Sequence, residues 1–86
     1  MVSVPNRTEV LERLRHLVSD RLGVEPTALQ ADARLADIGI DSFALIELVF
    51  VAEDEFKVNI PFEGLVVATV NDVLDVIHQR LVVAAR

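Results

Sequence analysis

The chain has 86 residues, 52% of them hydrophobic and none of them cysteine, with a net charge of −6. That size suits one domain over residues 1–86 and leaves too little core for a large substrate cavity, which argues against an enzyme working alone. Disulfides and thiolate-ligated metals are excluded, no apolar run approaches the roughly 20 residues that span a bilayer, and residues 1–7 lack a signal peptide's charged start and apolar run. The expectation is a discrete cytoplasmic polypeptide beginning at Met1.

The first predicted helix starts near Asn6, where Asn6 and Glu9 have capping-box spacing. Leu11, Leu14, Leu17, Val18 and Leu22 follow at helical intervals, and Gly23, reinforced by Pro26, is a natural stop. Residues 24–40 show no sustained period. A connection that long tends to be functional, with Leu29, Leu35 and Ile38 as its expected anchors and Gly39 as a tight turn before the next helix.

A second helix fits residues 42–56, with Asp41 as its N-cap. Residues 57–61 are a short connector in which Pro61 opens a third helical turn. Residues 62–68 form a brief apolar segment without a decisive period. Thr69 or Asn71 then caps a last helix carrying Val70, Val73, Leu74, Ile77 and Leu81 on one face. The predicted fold is all-α: a small four-helix bundle of three main helices and one short one, with a long first loop and no strand pair.

Charge is unevenly spread along this plan. Residues 1–36 balance five acids with five arginines, whereas residues 37–79 hold nine acids against Lys57 alone. Such a surface repels nucleic acid and anionic lipid and attracts basic partners; simple solubility explains it equally well.

The second helix has one apolar face more than a small bundle needs. With Leu45 at zero on a wheel of about 100° per residue, Leu48, Val49, Ala52 and Phe56 fall within roughly 60° and form a core stripe. Phe43, Ile46 and Phe50 fall at roughly 100° to 160° as a separate strip. Glu47 and Asp54 border it, and Glu53 lies between the two stripes. One reading is that the third helix or the long loop covers this strip as ordinary core. The other is a docking surface, apolar in the middle and acidic at its edge, for enzymes with basic rims around hydrophobic depressions.

The stretch Asp32-Ala33-Arg34-Leu35-Ala36-Asp37-Ile38-Gly39-Ile40-Asp41-Ser42-Phe43 resembles the acyl carrier protein family's Leu, Asp, Leu-Gly, any residue, Asp-Ser-Leu pattern. The likeness covers nearly the whole chain. Glu47, Glu53, Asp54 and Glu55 match the acidic positions of that family's recognition helix, Phe56 a core phenylalanine, and Ile60-Pro61 the Ile-Pro that ends the following loop; Thr69-Val70 also align. An isolated Asp-Ser means nothing; at this spacing, before an acidic helix and Ile-Pro, it is specific.

The resemblance implies that Ser42 bears a covalent 4′-phosphopantetheine, transferred from coenzyme A by a separate phosphopantetheinyl transferase using Mg²⁺. Asp41 matches the position associated with that step. It also implies that the chain is a monomeric carrier with no catalytic residue and no metal of its own. Loading, elongating and transferring enzymes would meet it at Phe43, Ile46, Glu47, Phe50, Glu53 and Asp54. The physics agrees: a hydroxyl in the first turn of a helix faces solvent, and a phosphodiester there meets the positive end of the helix dipole. Neither His16 nor His78 has a motif linking it to Ser42, so a hydrolase is a distant reading.

Three departures stand out from the commonest family pattern: Phe43 in place of leucine, Phe50 in place of methionine, and an apolar, shortened 62–68 segment where acids are usual. They point away from the housekeeping fatty-acid carrier and towards a specialised, polyketide-type or hybrid pathway. A peptidyl or aminoacyl carrier stays open, as does an unmodified helical adaptor that uses the aromatic strip for protein binding alone.

Overall fold

The computed structural model describes residues 4–61 and 63–85. Three helices carry the fold: α1 (Arg7–Leu22), α2 (Ser42–Phe56) and α3 (Val70–Ala84), with short 3-10 turns at Pro26–Ala28 and Leu35–Ile38. Each helix begins where a short polar side chain satisfies an orphan amide. Asn6 accepts from the Glu9 N–H while Glu9 reaches back, and Thr69 and Asp72 form the equivalent reciprocal pair on α3. Gly23 closes α1 at φ 69° and Gly39 turns the chain into α2 at φ 84°, both in the left-handed region that glycine adopts without strain.

Every helix contributes one stripe to a single core. Val10, Leu14 and Val18 line α1 at intervals of four; Leu48, Val49, Ala52 and Phe56 line α2; Val70, Val73, Leu74 and Ile77 line α3. Leu29 and Leu35 drop into this core from the long loop as expected, whereas Ile38 is only half-buried and its neighbour Ile40 is buried instead. Arginines tie the rim: Arg7 of α1 bonds Asp75 and Asn71 of α3, and Arg15 Nε donates to the Leu29 carbonyl at 3.1 Å.

The short helix expected after Pro61 has no counterpart among the described residues 63–69; Phe62 lies outside them. Residues 63 and 64 make a turn with Gly64 at φ 77°, and residues 65–68 take no regular secondary structure. The reason is where this segment spends its polar groups and side chains. The Ala68 carbonyl accepts from the Leu35 N–H at 2.9 Å and the Ala68 N–H donates to the Asp72 carboxylate at 2.8 Å, so neither serves a helical ladder. Leu65 and Val67 turn partly inward while Val66 stands 88% exposed, a two-residue alternation that suits extended chain. Among the described residues the nearest thing to a strand pair is one isolated antiparallel bridge, Arg34 to Thr69.

Candidate functional site

The long loop is not slack, and this is what positions Ser42. Its second half is stitched to the start of α3: the Leu35 N–H bonds Ala68, the Val70 N–H bonds Ala33 at 2.9 Å and the Asn71 N–H bonds Ala31 at 2.8 Å. Asp72 secures the same corner by accepting from the Ala68 and Thr69 N–H groups. Those two amides, Ala68 foremost, hold its carboxyl below the ordinary value, with partial burial opposing them and the Thr69 hydroxyl adding a smaller pull. From this corner the 3-10 turn, Gly39 and the buried Ile40 lead directly into α2.

Ser42 is the first residue of α2 and is exposed. Asp41 sits in extended geometry and its carboxylate accepts the Ala44 N–H at 2.8 Å, so it caps the helix. The Ser42 side chain makes no hydrogen bond to any described residue, and neither histidine pairs with it. The Ser42 and Phe43 amides are also without acceptors among the described residues. A free hydroxyl beside unpaired amides fits a phosphodiester, whose oxygens would take those donors. It does not fit a self-activated nucleophile, which needs a base within reach.

Beside Ser42 lies an open groove of about 320 Å³, walled among others by Arg34, Asp41, Leu45, Val67 and Ala68. Leu45 and Val67 also wall a second space, an apolar seam between α2 and α3 that includes Leu48, Ile60 and Ile77 and holds only about 10 Å³, room for about one water. Leu45 and Val67 thus border both the groove at the serine and the core seam.

The second strip on α2 is not covered. Phe43 is 70% exposed, Ile46 43% and Phe50 62%, which overturns the reading of this strip as ordinary core. Glu47 lies exposed beside it. Phe50 and Asp54 also help wall a groove of about 280 Å³ against Leu17 and Arg21 of α1, and Asp54 lies 3.7 Å from Lys57. Glu53 differs from the other acids. It is half-buried, and its carboxylate accepts the Ile60 N–H at 2.7 Å, holding the connector against the end of α2. The family resemblance placed it with the docking acids; its backbone partner seven residues on carries no local signal.

The family model described as a phosphopantetheine attachment site matches residues 12–77. A curated relative, an acyl carrier protein of Thermosynechococcus vestitus, is 38% identical over 78 residues, which cover 88% of this chain and 96% of the relative.

Proposed function

We propose that this chain, which belongs to the acyl carrier family of phosphopantetheine-bearing proteins, carries its arm on Ser42. Proteins of this family are carriers rather than enzymes: they hold a covalent 4′-phosphopantetheine installed by a transferase and are met in turn by acyl-handling enzymes. The observation that carries the Ser42 assignment is the exposed, unbonded hydroxyl at the start of α2, on a loop tied down at both ends. In the transfer, Ser42 Oγ forms the new P–O bond as it loses its proton, the pyrophosphate bond of coenzyme A breaks, and adenosine bisphosphate leaves. The arm's thiol then holds an acyl group as a thioester, and the protein presents it.

The test is intact mass after incubation with coenzyme A, Mg²⁺ and a promiscuous phosphopantetheinyl transferase. Wild type gains one phosphopantetheine increment and Ser42→Ala gains none. A folded wild type that gains nothing from several transferases overturns the assignment.

The finer reading is a monomeric carrier for a polyketide-type or related specialised pathway, docking through Phe43, Ile46, Glu47, Phe50 and Asp54. Its support is the two exposed phenylalanines on one helix face and the apolar 62–68 segment. Partners with a basic rim around an apolar depression suit that face, and weak, rapidly reversible docking suits a carrier shared among enzymes. Loading by acyl-transferring enzymes of such a pathway, against aminoacyl-activating enzymes and the fatty-acid elongation set, separates this reading from its two neighbours.

A further inference from the structure

We infer that Arg34 is the anchor for the phosphodiester at the root of the arm, a positioning residue that lays the arm along the groove rather than out into solvent; this rests on Ser42 as the attachment point. Arg34 and Ser42 wall the same groove, and among the described residues Arg34 is the only cation on its wall. The arginine's backbone is fixed where it matters. It lies in the bridge to Thr69, its carbonyl accepts the Asp37 N–H at 3.0 Å, and the next residue bonds Ala68.

Its side chain is uncommitted, which sets it apart from most of the chain's arginines. Arg7 bonds Asp75 and Asn71, Arg13 lies over the Phe56 ring, Arg15 bonds Leu29 and Glu12, and Arg80 bonds the Asn59 carbonyl. Arg34 is exposed and makes no ion pair or hydrogen bond with a described residue, although Asp37 and Asp41 are near in sequence and the chain carries −6 overall. Asp41 is engaged with the Ala44 amide.

A phosphodiester on Ser42 places two unesterified oxygens within a few ångströms of Oγ, at the edge of that groove. The flexible, planar guanidinium suits those oxygens bidentately, and nothing has to be broken to release it. The acids of α2 repel an anion at this spot, so one arginine offsets a local field that otherwise drives the arm away. A partner with a basic rim would compete with Arg34 for the same phosphate and free the arm as it docks.

The test compares apo and transferase-modified protein, with modification verified by mass. On modification the Arg34 Nε–Hε resonance moves downfield and the movement fades with added salt, while that of Arg21, on the other groove, stays in place. The ³¹P resonance of the modified protein shifts in Arg34→Gln and returns towards wild type in Arg34→Lys, with the amide spectrum of the core unchanged. If mass increases but the Arg34 resonance and the ³¹P shift are indifferent, the anchor is overturned and the Ser42 assignment stands. A wild type that gains no mass overturns both.

Discussion

The two faces of α2 have nearly the same chemistry and opposite fates. One carries Leu48, Val49, Ala52 and Phe56 and is buried; the other carries Phe43, Ile46 and Phe50, each of them exposed. Both stripes are apolar, so hydrophobicity alone does not decide which one folds inward. Geometry decides: α1 and α3 each offer a single stripe, and a three-helix core has no surface left for a fourth. Phe43 in particular gains little in the isolated chain, and an exposed apolar surface of this kind suits contact with a second molecule. One face of the helix serves stability; the other is the face on which partner docking is proposed.

Leu48→Ala tests the buried side of that comparison and carries the largest expected effect, a loss of about 2 to 5 kcal/mol, read as a lowered urea midpoint. A loss well under that range would mean that the stripe is loosely packed. Asp41 caps the start of the helix that carries both faces. Asp41→Ala removes the Ala44 cap and is expected to lower stability by about 1 kcal/mol, and to slow transfer onto Ser42 by more than the unfolded fraction explains. A transfer rate that tracks stability alone would reduce Asp41 to a cap.

Acid titration sharpens the role of the corner beneath Ser42. The Asp72 carboxyl is held below its ordinary value near 3.8 in the folded chain, so its stabilising contribution is complete above that pH. It is lost as pH falls through the lower folded value. The gap in urea midpoint between wild type and Asp72→Asn is therefore expected to narrow below about pH 4. A gap that stays constant into acid would show that the amide bonds, not the charge, hold the corner.

The smallest stability effect belongs to the exposed face. Phe43→Ala is expected to change stability by less than about 0.5 kcal/mol while weakening partner enzymes several-fold, measured as kcat/KM on the modified carrier. Glu47→Lys is expected to behave alike, with its effect shrinking at high salt. If either variant leaves partner kinetics unchanged, the exposed strip is not where partners dock.

What was legible in the sequence was whatever is settled within a few residues. Asn6, Asp41 and Thr69 cap their helices because a short side chain reaches an amide three positions on, and Gly39 turns because its left-handed backbone needs no distant partner. The place of Ser42 at the start of α2 was legible for the same reason. Ile40 was missed and Ile38 overestimated because burial in a loop depends on how that loop is tied down elsewhere. The 62–68 segment had no decisive period to read, because what places it is distant: Ala68 is bonded to Leu35 on one side and Asp72 on the other. Glu53 belongs with them, since its partner Ile60 lies across a turn.

The stitching of the long loop to α3 has a consequence for the order of events in the cell. Ser42 is made early, but the residues that hold its loop in place, Ala68 through Asp72, are made much later. While the chain is still being synthesised, the serine has no frame to stand in. If Ser42 bears the arm, attachment is expected to wait until residues 68–72 have been made and have folded against the loop. A chain truncated before Ala68 should leave an intact Asp-Ser sequence unmodified, and modification of that fragment at the full-length rate would refute the dependence.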